Sequence, residues 1–191
     1  MYLSRIELKN IRCFEELIID LKEDEDIILW ATIIGNNAVG KSTILQCIAM
    51  GLCDESSAAA LMKEGGEYLR KNETKGHIKL TVEQKGGKSK IVLNTEIIKE
   101  NLESPERLRQ LITGNKNLLD DLFFCGYGVE IGNNGSTSFK KYLPLEAVFT
   151  LFNYNSELQN PELIMRRQDI FVKEILEKKL LNILMLAVIF L

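Results

Sequence analysis

One run of residues carries the most specific chemistry in the chain: Gly35, Asn36, Asn37, Ala38, Val39, Gly40, Lys41 and Ser42, which satisfy the pattern GxxxxGK[ST]. Glycines at Gly35 and Gly40 permit backbone angles that a Cβ resists, so successive N–H groups can curl around an anion. Lys41 brings a compact positive charge suited to the β- and γ-phosphates of a nucleoside triphosphate, and the Ser42 hydroxyl is suited to hold magnesium. A helix beginning here aims its positive dipole end, with Thr43 in its first turn, at the same place. The expected ligands are therefore ATP and Mg2+, with Ser42 as the metal position. Chance produces this pattern in well under about one chain of this length in a hundred, so an accidental glycine turn is the weaker reading.

The flanking elements fit that role. Ser4–Lys9 alternates Ser4, Ile6 and Leu8 with Arg5, Glu7 and Lys9, the period of a half-buried strand, and Glu16–Leu21 reads as a second strand. A charged turn, Lys22–Asp26, leads into Ile27–Ile34, apolar except for Thr32, as in a strand covered on both faces. Lys41–Cys53 then places Ile44, Leu45, Ile48, Ala49 and Leu52 along one side of a helix, and Asp54–Lys63 continues helically until Gly65-Gly66. Residues 1–55 thus form the strands, loop and first helix of a phosphate site.

Further along, alternation predicts a β-hairpin over 76–98, turned at Gly86-Gly87. Ser104-Pro105-Glu106 has the signature of a helix start, followed by Leu108, Leu111 and Ile112 and ended by Gly114. Leu118–Tyr127 contains an apolar strand, and Gly126–Ser138, with IGNNGST inside it, reads as a flexible connection. Asn160-Pro161-Glu162 opens a C-terminal helix assigned to 160–191. Its apolar end, Leu180–Leu191, has about a dozen residues where a spanning helix needs roughly 20. A buried helix end, a short anchor and a chain cut inside an element all fit it.

At 191 residues, 46% apolar and 27% charged, the chain has the composition of one globular domain. A net charge of -3 exerts no global pull on nucleic acid, so DNA contact requires a local basic patch or a partner. The Lys85–Lys90 run and Lys140-Lys141 read as solvated charges. Four cysteines without a CxxC pair, and one histidine, His77, argue against a metal cluster and fit a reducing cytoplasm. MYLSRIELKNIRCF is no secretory signal.

Two features carry a family resemblance: the strand end Leu8-Lys9-Asn10-Ile11-Arg12-Cys13-Phe14, and a loop of the form G-x-N-x-x-G-K-S with Asn37 in third place. Together they resemble the N-terminal lobe of RecF/SMC-type ABC ATPase heads, and more closely the OLD-like AAA ATPases of prokaryotic DNA repair and phage defence. Phe124-Cys125-Gly126-Tyr127-Gly128 and Val148-Phe149-Thr150-Leu151-Phe152 are also similar to the middle of such proteins. The likeness is strong over 1–55 and loose beyond.

The resemblance implies an α/β fold: a P-loop NTPase lobe with a mixed β-sheet, an antiparallel meander and flanking helices. It implies Mg-ATP held by residues 35–43, with Arg12 beside the loop and within reach of the phosphates; a surface charge closing a strand is the other reading of Arg12. Where the OLD-like proteins carry an arginine after Gly-Tyr-Gly, this chain has Val129, Glu130 and Ile131. No signature loop, no apolar strand ending in Asp-Glu and no late histidine follows the P-loop, so no catalytic acid or base is identified. Leu118-Leu119-Asp120-Asp121 is the nearest imitation after the loop, and Leu17–Asp20 has the apolar run on the wrong side of it. The expected function is the ATP-binding lobe of an ABC/RecF-like ATPase that hydrolyses ATP once completed by the missing half. The same likeness allows homo- or hetero-dimerisation with an ATPase head and DNA contact through that complex, which is not evident from this chain; the location expected from the free thiols is the cytoplasm, with no membrane partner. The rival is a non-catalytic module that docks on a full-length ATPase.

Overall fold

The computed structural model describes residues 1–24, 26–84, 89–116, 119, 122, 124, 126, 132–136, 148–153, 157–159 and 185–188. Strand β1 (Tyr2–Ile11) and strand β2 (Phe14–Asp20) pair antiparallel around the tight turn at Arg12-Cys13. Three more strands are numbered β6 (Lys75–Glu83), β7 (Lys90–Ile98) and β8 (Arg107–Thr113) in chain order. They complete a five-stranded antiparallel sheet in the order β2-β1-β6-β7-β8.

Alternation divides this sheet into two faces. Ile6, Leu8, Ile78, Leu80, Val82, Ile91, Leu93 and Ile97 are buried on one. The other carries Arg5, Glu7, Lys75, Lys79 and Glu96, joined across strands by ion pairs such as Lys75–Glu96 at 2.7 Å and Lys79–Glu7 at 3.0 Å. His77 stands among them in β6, between Lys9 and Glu96 in register, and is half-buried. Burial lowers its pKa, and the neighbouring Glu96 opposes that shift.

The buried face is covered by helix α1 (Lys41–Leu52), which sets Ile44, Cys47, Ile48 and Met50 into the core. Its contact with β6 is close at Gly51, where an added Cβ would lie 2.5 Å from Leu80 Cδ1. The chain does not continue as one helix. Cys53 is extended, and Asp54 starts a second helix, α2 (Glu55–Gly65), by accepting the backbone N–H groups of Ser56 and Ser57 at 3.0 Å each.

Several expectations are corrected. Residues 107–113 form β8 and not a helix. Leu108, Gln110 and Ile112 point inward while Arg107, Arg109, Leu111 and Thr113 point out, and the open edge of β7 supplies partners for the whole segment. A helix this short is marginal by itself, so the sheet edge wins. Glu106, expected in the first turn of that helix, instead accepts the N–H groups of Tyr68 and Leu69, at 2.8 Å each.

The second correction concerns Ile27–Ile34. It splits: β3 (Lys22–Glu23) and β4 (Asp26–Ile27) make a small hairpin, and only β5 (Trp30–Ile33) leads to the loop. β5 is not covered on both faces. Ala31 and Ile33 pack on the core, while Leu29, Trp30 and Ile34 are 51%, 57% and 65% exposed. Its partner is β11 (Met185–Val188), running parallel, so the parallel and antiparallel strands lie in separate sheets.

β11 also corrects the helix assigned to 160–191, which does not hold over Met185–Val188; residues 160–184 and 189–191 lie outside the described residues. The connection around IGNNGST likewise contains a strand, β9 (Gly132–Ser136), parallel to β10 (Glu157–Gln159). Of the expected strand at Leu118–Tyr127, only Leu119, Leu122, Phe124 and Gly126 are described, and none of them is in a strand. Asp120, Asp121, Cys125, Lys140 and Lys141 also lie outside. The fold is α/β, an antiparallel sheet with two helices on its inner face and a parallel pair feeding the loop.

Candidate nucleotide-binding site

The loop between β5 and α1 is shaped by two left-handed residues, Ala38 at φ 65° and Gly40 at φ 100°. Alternating backbone handedness turns successive amides toward one point. Gly40 occupies the N-cap position of α1 without a side-chain cap, and no acid stands in the helix's first turn. A helix start of this kind, with neither a capping side chain nor an acid, favours an anion. Asn37, Ala38, Gly40, Lys41, Ser42 and Thr43 line a concavity of about 160 Å³, and no carboxylate is among them.

Lys41 is only 4% exposed. Its ammonium donates to the carbonyls of Gly35 and Asn36, the latter at 2.8 Å, which folds the start of the loop back over the helix. Gly35 and Asn36 therefore close the loop from behind. Val39 is 47% exposed, and its carbonyl accepts the Cys13 thiol at 3.7 Å.

The turn between β1 and β2 seats directly on this loop. A Cβ at Gly40 would fall 2.5 Å from Phe14 Cζ and 2.6 Å from Cys13 Sγ. Gly40 is required twice, by its dihedral and by this contact. At Gly35 the obstacle is only the end of the Val39 side chain, at 2.9 Å.

Arg12 belongs to the same turn, but its guanidinium is engaged behind the loop. It donates to Gln46 Oε1 at 3.0 Å, to the Glu67 carbonyl at 2.9 Å and to the Gly65 carbonyl, and it stacks 3.9 Å from the centre of the Tyr68 ring. Gln46 also accepts the Tyr68 hydroxyl at 3.0 Å and donates to the Leu151 carbonyl at 2.7 Å. Burial raises the Tyr68 pKa, so its hydroxyl keeps the proton it donates. It likewise pushes the thiols of Cys47 and Cys53 up to about 12, leaving them as core residues, whereas Cys13 is exposed. The sequence marked none of Cys13, Phe14, Gln46 or Tyr68 as part of the site. The one available signal was Gln46, a polar residue among Ile44, Leu45, Ile48 and Ala49.

Asp20, at the end of the misplaced apolar run Leu17–Asp20, lies in edge strand β2 and pairs with Arg5 on the outer face of the sheet. It is no second magnesium anchor.

A strand, a left-handed turn with a buried lysine, and a helix that starts there without a side-chain cap define a P-loop nucleotide-binding protein of the α/β class. The chain belongs to the AAA ATPase domain family (AAA_15), which it matches over residues 1–185. It is similar to Septu protein PtuA of Bacillus mycoides (strain KBAB4), 31% identical over 115 residues, or 59% of this chain and 16% of that protein. It is also similar to the Retron Ec83 probable ATPase of Escherichia coli, 39% identical over 70 residues, or 36% of this chain and 12% of that protein. The aligned part is thus a small fraction of either relative. Among solved structures, an SMC head domain from Thermotoga maritima aligns with 68% of this chain and 45% of that one, at 22% identity and a TM-score of 0.41. Among the described residues, no helix is long and apolar enough to cross a membrane.

Proposed function

We propose that this chain is the ATP-binding lobe of an ABC/RecF-like ATPase, holding Mg-ATP through residues 35–43. The observation that carries this reading is the cup formed by left-handed Ala38 and Gly40 over the uncapped start of α1, with buried Lys41 closing it. The amides of the cup and the Lys41 ammonium bind the β- and γ-phosphates, and Ser42 holds the magnesium ion. Magnesium bound there neutralises phosphate charge. Arg12, turned toward Gln46 and the end of α2, fixes the turn that covers Gly40.

Hydrolysis needs an acid to anchor the metal and a group to orient water, and these come from a completing half, on a longer parent or a second chain. The lobe then acts in the cytoplasm, dimerises with an ATPase head and meets DNA only through that complex. The likeness to a Septu protein and a retron ATPase favours anti-phage defence over DNA repair as the setting. By itself the chain binds Mg-ATP and turns it over very slowly. Mg-ATP should therefore raise the midpoint of cooperative thermal unfolding, by an amount that grows with ligand concentration. An unchanged midpoint at millimolar nucleotide overturns the reading. Steady phosphate release abolished by Lys41→Ala would place a complete catalytic set within the chain.

A second reading, a non-catalytic module docking on a full-length ATPase, draws on the exposed Leu29, Trp30, Ile34 and Val39 around the P-loop strand. Pull-down of an ATPase that is lost in Trp30→Glu, with no nucleotide effect on either partner, would favour it.

A further inference from the structure

Gln46 lies one helical turn beyond Ser42, at i+4, and so on the same side of α1. It is 5% exposed and uses both ends of its amide: Oε1 accepts from Arg12 and Tyr68, and Nε2 donates to the Leu151 carbonyl. Leu151 closes a 3-10 turn, Phe149–Leu151, in which Phe149 O accepts the N–H groups of Phe152 at 3.0 Å and Asn153 at 3.1 Å. Two further bonds tie this turn to its surroundings. Thr150 Oγ1 donates to the Gly126 carbonyl at 3.1 Å, and Asn153 Nδ2 donates to Glu64 on α2 at 3.1 Å.

We infer that Gln46 is a positioning residue that couples occupancy of the P-loop to the segment 148–153. This rests on the proposed nucleotide site and adds to it a route by which the bound state is read elsewhere. A buried amide that loses its partner cannot turn to water, and leaving it unpaired is costly. When phosphate draws on the N-terminal turn of α1, a shift of the helix carries the Leu151 carbonyl with it instead of breaking the bond. The coupling is reciprocal: fixing the 148–153 turn holds α1, and with it the loop, in its binding geometry.

The test combines calorimetry with amide hydrogen exchange at Phe152 and Asn153, with and without Mg-ATP. In the wild-type chain, saturating Mg-ATP slows exchange at these two amides by about fivefold or more, the low end of ordinary coupling between sites. Gln46→Glu removes the donor to Leu151 and keeps the acceptor for Arg12 and Tyr68. It therefore binds nucleotide several-fold more weakly and loses the ATP-dependent protection, with its unfolding still cooperative. Tyr68→Phe leaves the Leu151 bond intact and keeps the protection. A wild-type chain that binds Mg-ATP without slowing exchange at these amides overturns the coupling, whether or not Gln46→Glu folds. So does undiminished protection in Gln46→Glu, or its equal loss in Tyr68→Phe. A wild-type chain that gives no heat at all fails the nucleotide site instead.

Discussion

The antiparallel sheet and the P-loop strand contain similar residues under opposite conditions. In β1, β6 and β7 the inward residues are buried against α1, and the outward charges are paired across strands. That region is finished on both faces. In β5 the inward Ala31 and Ile33 meet the core, but Trp30 and the flanking Leu29 and Ile34 meet solvent, and among the described residues β11 is its only neighbour. Parallel strands are ordinarily covered on both faces. The difference separates what carries stability from what carries function: the sheet and α1 hold the loop's helix in place, while the apolar margin beside the loop contributes little to this chain's folding.

Substitutions can break that comparison, the largest effect lying in the sheet. Leu80 is fully buried beneath Gly51, so Leu80→Ala should cost about 2–5 kcal/mol in denaturant unfolding. A cost below about 1 kcal/mol would mean that the sheet face is not the core. Gly40→Ala should follow at about 1–3 kcal/mol, since the new Cβ meets Phe14 and Cys13 and must adopt a positive φ. Its nucleotide binding should fall with its stability, because the clash lies at the cup itself.

Asp54→Ala should cost about 1 kcal/mol through loss of the α2 cap. The hydroxyls of Ser56 and Ser57 hold the Asp54 pKa down at about 2, with their backbone N–H groups adding to the effect. A carboxylate depressed by folding stabilises above its unfolded value, near 3.9. The gap between wild type and variant should be complete above about pH 4 and shrink as pH falls toward about 2. A gap that grew on acidification would contradict the cap. Trp30→Ser should be the mildest, within about 0.5 kcal/mol, because the ring is 57% exposed. A loss near that of Leu80→Ala would show β5 to be as closed as the sheet.

The loop could be read from sequence because its chemistry is local: glycines, a lysine and a hydroxyl at fixed spacing leave few alternatives. The strands of the sheet were readable where polar and apolar residues alternate strictly, as in Ile78–Glu83. What escaped was set by distant partners. Residues 107–113 fit a helix or a strand in isolation, and the free edge of β7 decided between them. The apolar run ending at Ile34 suggested burial on both faces, but hydrophobicity states what a strand can tolerate and not what covers it. The Gln46 cluster joins residues 12, 46, 68 and 151, separations that no local pattern records.

The account stands or falls on the loop as an anion site. Isothermal titration of the folded chain with Mg-ATP, beside Lys41→Ala, measures it directly. The wild type should give saturable heat, and Lys41→Ala should bind on the order of tenfold to a hundredfold more weakly, the worth of one charge-assisted contact. Equal affinity in the two proteins, or no heat from the folded wild type at millimolar nucleotide, would contradict it.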